Sequence, residues 1–214
     1  SATHINNYLE CPRKFYYRNV LRLPEVKSPS LVLGTVVHDA LDAMNRVIAH
    51  DHAIPGLELL IKTAQDVASK QLLTKAQRKD VLDHAIAVLE EYYNHYKRDF
   101  SLQVLGEYDF RKHGVVVASV PITGKLDKIE ILDEKSKRIS VVDYKTGKYS
   151  NGKKKLNKDG DYFRQIVFYK LLCDNASDFP YTMERGEIDF VEKDDKKGFL
   201  KEFLSPTTEE AQAL

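Results

Sequence analysis

The sequence predicts a mixed α/β domain in which helices flank a sheet. Three observations predict it. Apolar residues recur at helical intervals through about the first 100 positions; Val- and Ile-rich runs separated by short polar turns fill the next 45; one further helix and two last strands follow. The chain has 214 residues, of which 43% are hydrophobic and 30% charged, too apolar for disorder and too charged for a membrane protein. No run approaches 18 consecutive apolar residues, which excludes a transmembrane helix.

Taken in order, Thr3 to about Val20 reads as a helix mixing Tyr8, Phe15, Tyr16 and Tyr17 with Arg13, Lys14 and Arg18, and Pro12 is its point of breakage. The tyrosines are expected to pack between helices. Gly34-Thr35 then opens a helix whose stripe is Val36, Val37, Ala40, Leu41, Met44, Val47 and Ile48. Leu57–Leu73 and Arg78–Lys97 are two more. From about Ser101, strands are expected at 102–110, 115–120, 122–132 and 139–144, with His113-Gly114 as a hairpin turn. A Lys-rich loop from Thr146 to about Gly160 leads to a helix starting near Asp161. Strands at 184–192 and about 199–203 close the domain around a polar turn. The whole is expected to be a single domain, about 1–100 mainly helical and about 101–204 the sheet core with its helix near 161–175. The chain begins Ser1-Ala2-Thr3-His4, without an initiator Met, and is read as excised from a larger protein. Cys11 and Cys173 are too few and too far apart for a disulfide framework or an all-cysteine metal site, so a cytoplasmic protein with reduced thiols is expected.

Strand parity singles out two carboxylates. Along 124–132, Asp127 alternates onto the face of Ile129 and Ile131; along 139–145, Asp143 shares a face with Ile139, Val141 and Lys145. An ionised carboxylate on a core-directed face needs a partner or a metal. Asp143 and Lys145, two apart on one strand, point the same way. Two carboxylates beside an ammonium suit metal-dependent phosphodiester chemistry: the carboxylates hold a hard divalent cation and the lysine steadies developing charge. Asp-x-Lys on its own is more often a surface ion pair of little energetic weight.

Longer motifs decide between these. Gly124-Lys125-Leu126-Asp127, then Asp143-Tyr144-Lys145-Thr146-Gly147, then Gln165-Ile166-Val167-Phe168-Tyr169 resemble the RecB/AddB branch of the PD-(D/E)XK nuclease superfamily. His38 fits that branch's upstream histidine, and Tyr8 to Tyr17 resembles its amino-terminal signature; the resemblance runs from about Ile5 to Tyr169. It implies a restriction-endonuclease-like core with an added amino-terminal helical region. It also implies that His38, Asp127 and Asp143, with the backbone carbonyl of Tyr144, ligate Mg²⁺ or Mn²⁺, and that Lys145 is the catalytic lysine. Gln165 and Tyr169, four apart on one helix face, would position Lys145 or the DNA backbone. Glu107 fits a glutamate common on the branch's first strand, although parity puts it on a polar face. Some relatives carry a four-cysteine iron–sulfur cluster; only Cys11 matches, so no cluster is expected here.

The implied activity is metal-dependent hydrolysis of DNA phosphodiester bonds, as an exonuclease acting with a UvrD/RecB-type helicase in recombination and repair. The chain lacks a Walker motif, so any motor lies elsewhere. A catalytically inactive DNA-binding or scaffolding module of a helicase–nuclease complex is the rival reading. A formal charge of +1 excludes a uniformly basic DNA coat. The charge is uneven, however: Lys135–Lys158 holds nine basic residues and one acid. Lys148, Lys153, Lys154, Lys155 and Lys158 are the expected DNA contacts within it.

Overall fold

Pro12 breaks the amino-terminal aromatic segment. In the computed structural model, which describes residues 1–212, α1 (Ala2–Glu10) ends at Cys11, α2 (Pro12–Phe15) starts with the proline in its first turn, and the chain widens into a π-turn over Tyr16–Val20. No residue of α2 or the π-turn is buried. Tyr16 and Tyr17 stay 49% and 46% exposed, so the expectation that they pack between helices is corrected. The reason is architectural: α2 and the π-turn pack chiefly on one another and on α1, with no third layer above them.

A second boundary also shifts. The helix expected from Gly34 begins five residues earlier as α3 (Pro29–Asp51), because the Ser28 hydroxyl accepts the Leu31 N–H at 3.3 Å and Pro29 takes the first helical position. Gly34 lies inside the helix, close against Thr146. Two further helices, α4 (Leu57–Ser69) and α5 (Lys75–Tyr96), pack on α3; a capping box between Thr74 and Gln77 opens α5.

The strand region is more broken than its pattern. The expected strand at 102–110 splits at Gly106-Glu107 into β1 (Val104–Leu105) and β2 (Tyr108–Asp109), where Asp42 accepts the Glu107 N–H at 2.8 Å. His113 ends a 3₁₀ turn rather than forming a hairpin. The hairpin falls instead at Ala118 and Ser119, both at positive φ, between β3 (Val116–Val117) and β4 (Val120–Pro121). Asp127 sits in a bend that separates β5 (Lys125–Leu126) from β6 (Lys128–Asp133). Next comes β7 (Arg138–Lys145). The expected Lys-rich loop is instead α6 (Tyr149–Gly152) and a 3₁₀ turn over Lys153–Leu156, anchored by the Tyr149 ring 5.3 Å from Phe190. A side chain at Gly152 would collide with Phe190. The chain continues through α7 (Asp161–Asn175), β8 (Thr182–Asp194), β9 (Gly198–Leu204) and α8 (Thr208–Gln212).

Five strands form the central sheet in the order β1-β6-β7-β8-β9, parallel only between β7 and β8. That parallel pair requires the crossover supplied by α6 and α7. Alternation along the strands feeds two cores. Ile129, Ile139, Val141, Ile188 and Phe190 pack with Ile166, Phe168, Tyr169 and Leu172 of α7, while Val142, Tyr144 and Val191 on the opposite face pack with α3, α4 and α5. No described helix is long and apolar enough to cross a membrane. The architecture is an α/β fold with a mixed central sheet flanked by helices and a helical amino-terminal region, consistent with a restriction-endonuclease-like core.

Candidate active site

The site lies where β7 ends, with α7 on one face of the sheet and α3 on the other. Parity puts Asp143 and Lys145 on the α7 face, and helical spacing aims Gln165 and Tyr169 back at them. Asp143 is 2% exposed and its Oδ1 accepts two hydrogen bonds, from Gln165 Nε2 and from the Tyr169 hydroxyl, each 2.7 Å. Lys145 Nζ donates to Gln165 Oε1 at 2.8 Å and lies 2.5 Å from Asp143 Oδ2. The Tyr162 ring also supports the ammonium, 4.7 Å from its centroid. The sequence expectations above do not include Tyr162; the helical spacing that joins Gln165 to Tyr169 extends back to it.

Asp127 approaches from the bend between β5 and β6. Its Oδ2 accepts the backbone N–H of Tyr144 at 3.0 Å and lies 3.3 Å from His38 Nδ1 on α3. His38 is partly exposed and its ring meets Tyr144 edge-on. The sequence-predicted residues His38, Asp127, Asp143, Tyr144, Lys145, Gln165 and Tyr169 thus belong to one connected cluster. Glu107 does not join it: its carboxylate accepts from Lys125 Nζ at 2.8 Å. Among the expected DNA-contacting lysines, Lys148 pairs with Asp195 and Lys158 with Glu210, Lys155 lies over the Tyr162 ring, and Lys153 and Lys154 are exposed on the 3₁₀ turn. Cys11 is exposed at the α1–α2 break and Cys173 is buried in α7, where burial raises its thiol pKa.

Electrostatics divide the two carboxylates. Burial, the largest influence, raises the Asp143 pKa; Lys145 opposes this and the negative charge of Asp127 adds to it. Burial also pushes Asp127 up, but the hydrogen bond and charge of His38, with the Tyr144 N–H, outweigh it and hold that carboxyl below its usual range. Burial alone would lower His38 and Lys145; Asp127 and Asp143 respectively reverse the sign, so both bases are raised.

Among the described residues, no three His, Cys, Asp or Glu side chains already close on one point. Each carboxylate is partnered by a protein donor instead. Asp143 Oδ2 faces the Lys145 ammonium at 2.5 Å, so the buried carboxylate is held by donors on both oxygens. Two carboxylates and an imidazole, all hard or borderline donors, fit a hard divalent cation by their chemistry.

No curated protein matches the chain. A family model described as the PD-(D/E)XK nuclease superfamily matches residues 1–213, which takes in every element of the sheet and the whole cluster around Asp143. With nearly its full length matched, the chain belongs to the PD-(D/E)XK nuclease superfamily.

Proposed function

We propose that this chain is a divalent-metal-dependent deoxyribonuclease of the RecB/AddB-like branch, an exonuclease that hydrolyses phosphodiester bonds beside a UvrD/RecB-type helicase in recombination and repair. The observation that carries the reading is the closed ring of contacts among Asp143, Lys145, Gln165 and Tyr169, with Asp127 and His38 at its edge. Family membership supports nuclease chemistry. The motif order along the sequence supports the branch and the helicase partner.

His38, Asp127 and Asp143, with the Tyr144 backbone carbonyl, would hold Mg²⁺ or Mn²⁺. When bound, the cation supplies phosphoryl polarisation and a more acidic water. The protein's own groups do the rest. Gln165 and Tyr169 fix the Asp143 carboxylate through its Oδ1, and Lys145 faces its Oδ2. Lys145, its pKa raised by Asp143, stays protonated at neutral pH and offers a fixed positive charge to the developing phosphoryl oxyanion. Gln165 Oε1 and the Tyr162 ring restrict where that charge points. Lys153, Lys154 and Lys155, on the turn after the active-site strand, would meet the phosphate backbone.

The test uses linear single- and double-stranded DNA with Mg²⁺ or Mn²⁺, comparing the wild type with Asp143→Ala and Lys145→Ala. Wild type should degrade DNA only with the cation, and both variants should be inactive. No degradation by the wild type, together with no Mn²⁺ binding by calorimetry, overturns the reading.

A further inference from the structure

We propose that Asn45 and the hydroxyl of Tyr144 form a positioning pair that sets the divalent-cation affinity of the site by holding α3 in place on β7. The inference rests on the nuclease reading above, since it concerns how that same site is held.

Asn45 is the anomaly that prompts it. It is 1% exposed within the apolar stripe of α3, beside Leu41, Met44 and Ile48. A buried amide is costly unless hydrogen-bonded, and a leucine would fill the same space without that cost. The amide makes a side-chain hydrogen bond from Nδ2 to Tyr144 Oη, 3.2 Å long, joining residues 99 positions apart. Tyr144 is itself 2% exposed and lies between Asp143 and Lys145 on β7, its side chain directed to the opposite face from theirs.

Geometry links this contact to the site at two points. His38 and Asn45 are seven apart, about two helical turns, so they share one face of α3 and move together. The Tyr144 ring touches both, bonding Asn45 through its hydroxyl and meeting the His38 ring edge-on with centroids 6.2 Å apart. Meanwhile the Tyr144 backbone N–H holds Asp127 Oδ2 at 3.0 Å, the same oxygen that His38 Nδ1 approaches at 3.3 Å. Asp127 is therefore tied to β7, whereas His38 is tied to α3. Packing resists separation of helix and strand, but apolar contacts are non-directional and tolerate sliding. The Asn45–Tyr144 hydrogen bond is directional, so it fixes rotation and slip of α3, and with them the placement of His38 relative to Asp127 and Asp143. Neither side chain would touch the cation; both act through the residues that would.

The experiment measures Mn²⁺ binding by calorimetry and by electron paramagnetic resonance, and thermal stability in parallel, for Asn45→Leu, Tyr144→Phe and the double variant. Each single substitution leaves a buried polar group unpaired and lowers Tm, whereas the double replaces both partners and should regain most of it. Mn²⁺ affinity should fall about tenfold in all three, the double included, as it does when outer-shell partners of metal ligands are lost. Affinity within about twofold of wild type in the folded double variant overturns the proposal, as does recovery of affinity in step with Tm. If the singles do not fold, the double carries the test alone. Failure of the wild type to bind Mn²⁺ would instead count against the nuclease reading itself.

Discussion

Both faces of the sheet bury charge, and they do so differently. Toward α3, α4 and α5, Lys128, Arg185 and Lys201 stand among Glu130, Glu187 and Asp189: Lys128 meets Glu130 at 2.5 Å, and Lys201 meets Glu187 at 2.7 Å and Asp189 at 3.0 Å, with the Tyr92 hydroxyl donating to Asp189. Cations and carboxylates there are equal in number. At the α7 face, Asp127 and Asp143 share one permanent cation, Lys145, and a histidine that is charged only when protonated. A balanced set needs nothing further. A set short of one positive charge is the one that the cation of the proposed function would complete. The two faces thus differ in charge balance rather than in whether charge is buried.

The contrast can be broken by substitution. The largest effect is expected from Asp143→Asn, which keeps the side chain's shape and removes the charge. DNA hydrolysis should fall by at least about 10³-fold, on the order of 4 kcal/mol of barrier. Unfolding in urea should show a loss of about 1–2 kcal/mol, because Lys145 loses its nearer partner and retains only the more weakly acting charge of Asp127. Lys201→Met should do the reverse. It strands Glu187 and Asp189 without their cation and should cost about 3 kcal/mol of stability, while Mn²⁺ affinity of the folded protein is unchanged. Equal losses of activity in the two variants would erase the distinction between the faces. Third, Mn²⁺ at about 100 times its Kd should raise the unfolding free energy by about 2.7 kcal/mol in the wild type and in Lys201→Met, and by almost nothing in Asp143→Asn. The smallest effect, from Thr74→Ala, should be about 1 kcal/mol through loss of the α5 cap, with hydrolysis and Mn²⁺ binding both untouched.

Much of this is legible in the sequence. Period-two alternation put Asp143 and Lys145 on one face, and the four-residue step from Gln165 to Tyr169 put those two on one helix face. The long elements were read within a few residues: α5 begins three residues before its expected start and α7 begins at Asp161 as expected. Where the reading failed, a local competitor decided. Ser28 and Pro29 nucleated α3 ahead of Gly34, and positive φ at Ala118 and Ser119 moved the hairpin away from His113-Gly114. The Lys-rich stretch looked unstructured because its composition is polar, yet Tyr149 and Gly152 pin it against Phe190.

By itself, then, the sequence determined which side chains share a face, because strand and helix periods are properties of the backbone. It also determined the motif order that places the chain among nucleases. Only the tertiary structure decided which of those faces meet. Asp127 reaches the site from a bend rather than a regular strand, and Glu107 goes to Lys125 instead. Asn45 and Tyr144, far apart in the chain, close on one another across α3 and β7. Such contacts depend on how helices seat on the sheet, a balance of packing over the whole core that no local period encodes.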